Sequence, residues 1–275
     1  MWATKAALTS TEPKFTKNAL CESTARFLCL PCTGRRGIIG PSNAGGEDLA
    51  QVNTVPALLD VYAAAIPPEL AVGPVASPAR NRVLAETRNP SLLRQRYLVW
   101  HLLEYAARHS LGLDPAALVF EKAPEGRWFC PDFEFSLSHT ADAVAVAVSR
   151  APVGVDLESL PLFQQRYKAD PALCMRMLRH VAAASELSGV EGRETETLLR
   201  LWTGKESLFK QHQTGFFSPT EIICGPETEH LLLDLPPRVC LAVSSDQLAA
   251  LRVFRFEEEA ACPAVPLPFP AGAFL

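Results

Sequence analysis

Ala143-Val144-Ala145-Val146-Ala147-Val148, a short break, then Val153-Gly154-Val155-Asp156-Leu157-Glu158: this stretch decides the fold. Side chains alternate at a period of two, which is the spacing of a strand and not of a helix. Working outward, Ser91 to Ser110 carries Leu92, Leu93, Leu98, Val99, Leu102, Leu103 and Ala106 at helical spacing and stops at Gly112. Strands are expected at Ala117 to Lys122 and Glu134 to Ser138. On the other side, Pro171 to Ser188 and Thr195 to Gln211 read as helical, the latter with Leu198, Leu201, Trp202, Leu208 and Phe209 as its buried stripe. Strands return at Thr220 to Cys224, His230 to Leu235, Val239 to Ser244 and Leu251 to Glu257. The class is α+β.

The two series match at one spacing. Leu92-Leu93-Arg94 recurs as Leu198-Leu199-Arg200, Leu102-Leu103 as Leu208-Phe209, and Phe135-Ser136-Leu137-Ser138 as Leu241-Ala242-Val243-Ser244, each 106 residues on. A constant spacing points to duplication, although few identities carry it and chance likeness between two helix-strand units is the competing explanation. Duplication predicts two similar halves, helix packed on a mostly antiparallel sheet, forming a pseudo-dimer over residues 55–152 and 153–260. Glu206 then falls opposite Trp100, so the halves share a scaffold without sharing chemistry. One site is expected at their junction, where ligands commonly bind.

The 275 residues are 48% hydrophobic with a formal net charge of -4, enough for a core and without a basic field for nucleic acid. No apolar run approaches the roughly 18 residues that cross a bilayer. Cysteines scattered singly fit reduced thiols in a cytoplasmic protein, and Cys29-x-x-Cys32 lacks the second ligand pair of a zinc ribbon. Residues 1–54 are rich in breakers and read as a poorly ordered or non-native extension. Residues 261–275, with Pro263, Pro266, Pro268 and Pro270, read as a tail.

Three acids stand out in these apolar segments. Asp156 and Glu158, two apart on a strand, point to one face, and Glu206 in Leu201-Trp202-Thr203-Gly204-Lys205-Glu206-Ser207-Leu208-Phe209-Lys210 adds a third oxygen donor from a helix. Hard divalent cations take such ligands, and Lys205 and Lys210 suit phosphate charge. Each motif alone has a plainer reading. Glu206 and Lys210 are four apart on a helix, the common surface ion pair, and His139 at a strand end is often a turn residue. Arg80, Arg82, Arg88, Arg94 and Arg96 form either a solvated helix face or, in part, a phosphate contact.

Ser136-Leu137-Ser138-His139-Thr140, Gly154-Val155-Asp156-Leu157-Glu158 and Trp202 to Lys210, in this order, resemble the signature motifs of the 4′-phosphopantetheinyl transferases. The likeness is to the larger, pseudo-dimeric kind typified by the activator of surfactin synthetase, and it covers about Val55 to Glu259. It implies a holo-[acyl-carrier-protein] synthase activity: Mg2+-dependent transfer from coenzyme A to a serine of an acyl or peptidyl carrier protein. The resemblance further implies Asp156, Glu158 and Glu206 as magnesium ligands and Glu206 as the general base. It places Lys205 and Lys210 on phosphate oxygens, with Lys210 counted among the catalytic groups. By the same resemblance Ser138 and His139 meet the phosphates of coenzyme A, while Arg80 or Arg82, Arg94 and Arg127 lie near its 3′-phosphate. The chain departs from the family in having Gly126-Arg127-Trp128 for Gly-Lys-Pro and Ser136 for Asn, keeping charge and hydrogen bonding respectively. A cytoplasmic monomer, working without nucleic acid or membrane, is expected. A non-catalytic coenzyme A or carrier-protein binder, or a metal-dependent phosphohydrolase, are the other readings. Gly204 within a helix costs about 1 kcal/mol against Ala, which points to a close approach of a ligand or of neighbouring backbone there.

Overall fold

The computed structural model describes residues 57–123, 126–212, 215–256 and 265–266. The expectations for residues 1–54, Cys29-x-x-Cys32 and most of 261–275 lie outside them. Two sheets stack face to face, with helices on their outer faces. In chain order the elements are β1 (Leu59–Ala65), α1 (Pro78–Glu86), α2 (Pro90–Leu111), the short β2 (Glu121–Lys122) and β3 (Trp128–Phe129), then β4 (Glu134–His139) and β5 (Ala143–Ser149). They continue with β6 (Val153–Ser159), α3 (Leu160–Lys168), α4 (Pro171–Val181), α5 (Glu194–His212), β7 (Thr228–Leu233), β8 (Val239–Ser245) and β9 (Leu251–Arg255). The order in the first sheet is β10-β9-β1-β5-β4, where β10 is Val265–Pro266 on the edge, a position that tolerates proline. The second sheet runs β6-β8-β7.

Alternation along each strand sorts the core. Tyr62, Ala64, Val144, Val146 and Val148 face α2, with Leu98, Trp100, Leu102 and Leu103 packed over them. Val61, Ala63, Ala145 and Ala147 turn the other way and meet Val155, Leu157, Leu241 and Val243, so the second core lies between the sheets. The remaining face of β6 and β8 is covered by α5. Asp156 and Glu158 therefore point toward α5, on the face opposite Val155 and Leu157.

Both sheets repeat one three-strand unit. β1 pairs antiparallel with β5 from Leu59↔Ser149 to Ala65↔Ala143, and β6 pairs with β8 from Val153↔Ser245 to Ser159↔Val239. β4 and β7 flank the middle strand on its other side. This corrects the alignment of strands made from sequence. A spacing of 106 sets β4 against β8, yet β8 is a middle strand and its counterpart is β5, with Ala143 matching Val239. Apolar alternation looks alike in every strand; only the pairing tells them apart. β9 leaves the second unit to lie parallel beside β1, from Leu59↔Leu251 to Ala63↔Arg255. Arg252 fixes that register through a bidentate bond to the buried Asp60, both contacts 2.7 Å.

Several expected elements differ. Ala117 to Lys122 is mostly a 3-10 turn and loop, with strand only at its last two residues. Thr220 to Cys224 is no strand: a 3-10 turn spans Pro219–Glu221, and the Pro219 carbonyl is held by Lys205 Nζ at 3.0 Å. β1 and α3 were not foreseen.

Candidate active site

β6 brings Asp156 and Glu158 to the underside of α5, and α5 brings Glu206 and Lys210 down onto β6. What allows this close approach is Gly154: a Cβ built there would lie 1.7 Å from Ser207 O and 2.7 Å from Gln211 N. Ser207 Oγ and Ser244 Oγ meet at 2.7 Å alongside, so small residues line the whole crossing. Lys210 Nζ donates to Asp156 Oδ1 at 2.7 Å and to Val155 O at 3.2 Å, and lies 3.9 Å from Glu206 Oε2. Trp202, one helical turn before Glu206, hydrogen-bonds Glu158.

Three carboxylates with one ammonium leave an excess of negative charge out of water. Glu158 is pushed up to about 8, first by burial and then by Asp156 and Glu206. Glu206 is pushed up to about 7 by burial and by Asp156, with Lys210 opposing. Among the described residues no three His, Cys, Asp or Glu side chains form a ready-made metal shell; Lys210 occupies the space against Asp156. The donor set is nonetheless of the right kind: hard oxygens whose repulsion a divalent cation would relieve.

The first sheet reaches the same place through β4. Ser136 Oγ accepts from Val155 N at 3.0 Å and Ser138 Oγ from Leu157 N at 3.2 Å, so two hydroxyls join the edge of β4 to the edge of β6. Ser138 also donates to Asp156 Oδ1 at 2.9 Å and lies 3.4 Å from Lys210 Nζ. Its hydroxyl is thus filled by protein partners. His139 follows, pulled down to about 4 by burial and by the charges of Lys210, Arg80 and Arg96, and is neutral near pH 7. A cleft of about 520 Å³ opens here, with Asn89, Gln95, His139 and Glu158 among its polar lining and Phe163 and Trp202 among its apolar lining.

Arg80 is no solvated helix residue. It is 7% exposed, stacked 4.9 Å from the Trp100 ring centroid, and donates from Nη2 to Arg96 O. Its Nε has no hydrogen-bond partner, and burial with the nearby Arg96 lowers its pKa to about 10. Arg82 is exposed, Arg94 half-buried, and Arg127 pairs with Glu134 at 3.5 Å.

Lys205 needs correction as a coenzyme A contact. It is fully buried, and its three donors go to Val181 O, Pro219 O and the Glu186 carboxylate. With all three N–H bonds used inside the protein, none is left for phosphate. Gly204 likewise is explained by neighbouring side chains and by neither a ligand nor backbone: a Cβ would come within 2.8 Å of His230 Nε2 and 2.9 Å of Cys224 Sγ. Sequence reading missed Trp202 as a member of the site, although its helical spacing to Glu206 was an available signal, and named Arg96 only within the basic cluster.

Residues 152–237, which carry all three acids and Lys210, match the family model described as the 4′-phosphopantetheinyl transferase superfamily. This segment belongs to that superfamily. The chain is 26% identical over 144 residues to a 4′-phosphopantetheinyl transferase of Bacillus subtilis, covering 49% of this chain and 60% of the relative. It is 29% identical over 112 residues to 4′-phosphopantetheinyl transferase psf-1 of Bacillus pumilus, covering 40% and 46%. The matches thus span about half the length of these relatives. Among the described residues no helix is long and apolar enough to cross a membrane.

Proposed function

We propose that the protein transfers the 4′-phosphopantetheine group of coenzyme A to a serine of an apo acyl or peptidyl carrier protein, with Mg2+, releasing adenosine 3′,5′-bisphosphate. The observation that carries this reading is the convergence of Asp156, Glu158, Glu206 and Lys210 within the segment that matches the superfamily. The repeat of β1-β5-β4 in β6-β8-β7 supports a pseudo-dimer with its site at the junction. A cytoplasmic monomer that works without membrane belongs to the same reading, and the net charge of -4 supports the expectation of no nucleic-acid partner.

Asp156, Glu158 and Glu206 would hold the cation, which when bound neutralises pyrophosphate charge and orients the phosphorus. Glu206 is also the candidate general base for the serine proton, directly or through water. Lys210 provides the positive charge beside the transferred phosphoryl group. Neutral His139, at the end of β4 on the cleft's edge, offers a ring N–H to a phosphate oxygen. Arg80 and Arg96, two guanidiniums close enough to His139 to shift it, give anion attraction on the first-half side, with Arg82, Arg94 and Arg127 further along.

Incubating the protein with coenzyme A, Mg2+ and several apo carrier proteins is expected to add the prosthetic group's mass to at least one, as read by intact mass spectrometry. No addition to any of them rejects the proposal. Glu206→Gln, which keeps shape and removes charge, is expected to lower the rate about 100-fold; a wild-type rate would refute both roles of Glu206.

A pH effect follows from the acids. Because Glu158 and Glu206 hold protons to higher pH in the fold than their ordinary value of 4.5, the unfolded chain binds fewer protons between about 4.5 and 8. Stability without metal therefore falls as pH rises through that window. Millimolar Mg2+ is expected to raise the melting temperature more at pH 8.5 than at pH 5.5. A magnesium effect independent of pH in a thermal melt would contradict the carboxylate site.

A further inference from the structure

Ser159 is the N-cap of α3, and serine there ordinarily turns its hydroxyl onto the free N–H groups of the helix's first turn. In this fold the cap makes no side-chain hydrogen bond to the helix. The hydroxyl instead donates to Asp142 Oδ2 at 2.8 Å, across the cleft mouth to the β4–β5 turn. Ser159 is 1% exposed, so water competes poorly for this bond. Asp142 is itself braced. Its Oδ1 accepts from Thr140 Oγ1 at 2.7 Å, Thr140 Oγ1 accepts from Ala143 N at 3.2 Å, and the Asp142 carbonyl accepts from Ile66 N at 2.8 Å at the end of β1.

The bond joins two walls. His139, Thr140 and Ala141 form one side of the cleft, and Glu158 with Leu162 and Phe163 of α3 forms another. A serine that gives up the cap of its own helix to reach a carboxylate on the opposite wall points to a demand on geometry at this place. We propose that Asp142 is a positioning residue which, through Ser159, fixes α3 as the outer wall of the cleft and so sets its fit to coenzyme A. This rests on the transferase reading for the identity of the ligand.

The test compares Asp142→Ala, Ser159→Ala, the double variant and Asp142→Asn. Each single alanine change is expected to raise KM for coenzyme A about tenfold with kcat within about twofold, a loss of binding that leaves the chemical step alone. The double variant is expected to be no worse than about tenfold, because both changes break one bond. Asp142→Asn is expected to stay within about threefold of wild type: its Oδ1 still accepts from Ser159, and Thr140 can turn its proton to Ala143 O, 3.4 Å away. Additive effects, a fall in kcat at unchanged KM, or an asparagine variant as impaired as the alanine one would overturn the proposal. Amide hydrogen exchange over residues 160–168, measured without substrate, is expected to speed up about tenfold in the alanine variants alone. It separates the two readings. If the wild type transfers nothing, the transferase reading fails, whereas unchanged exchange in the alanine variants defeats the tie itself.

Discussion

Gly154→Ala is expected to destabilise the protein by about 3 kcal/mol or more and to abolish whatever activity the carboxylates support. The new Cβ would fall 1.7 Å from Ser207 O and 2.7 Å from Gln211 N, both backbone atoms of α5. Backbone cannot rotate aside as a side chain does, so the helix must lift from β6. Lifting it breaks the Ser207–Ser244 contact and carries Glu206 and Lys210 away from Asp156. For a chain of this size the loss corresponds to a fall in melting temperature of roughly 6 to 12 °C. A melting temperature within about 2 °C of wild type would show that α5 does not rest on β6 as described.

The second large effect concerns Lys205. Lys205→Met retains much of the side-chain volume but leaves the carbonyls of Val181 and Pro219 without this donor and the half-buried Glu186 carboxylate with only Ala183 N. Breaking one side of a buried pair costs about 3 to 5 kcal/mol. Adding Glu186→Leu removes the stranded charge, and the double variant is expected to recover much of the loss in a urea melt. Coenzyme A affinity, taken at a temperature where the variant stays folded, is expected within about twofold of wild type, as the ammonium is already saturated. Normal stability with weakened coenzyme A binding would instead make Lys205 a phosphate contact.

The contrast between Lys205 and Lys210 shows what the sequence could and could not convey. Residues four apart on a helix share a face, so Glu206 and Lys210 were rightly taken together, and both reach Asp156 or its surroundings. Adjacent residues diverge by about 100° around the axis. Lys205 accordingly turns away from Glu206 into a cage built by α4 and two 3-10 turns, whose partners lie 14 to 24 residues off in sequence. The strand acids were legible because period two fixes the face. β1 was not, since Leu59 to Ala64 is buried on both sides and shows no alternation. Arg80 gave no signal either: its burial against Trp100 depends on how α1 lies across α2, which no local pattern records.

The seam between β4 and β6 has a further consequence. Within each sheet, strand register is enforced by a ladder of peptide groups common to every residue type, and no one replacement can rewrite it. Between the sheets, beside the apolar core they share, side-chain hydroxyls make the ties: Ser136 and Ser138 onto β6, and Ser159 onto Asp142. The relative placement of the two units is therefore inherited through individual codons. A single polar substitution at this seam would therefore change the distance between His139 and the acids while leaving the ladders on either side intact.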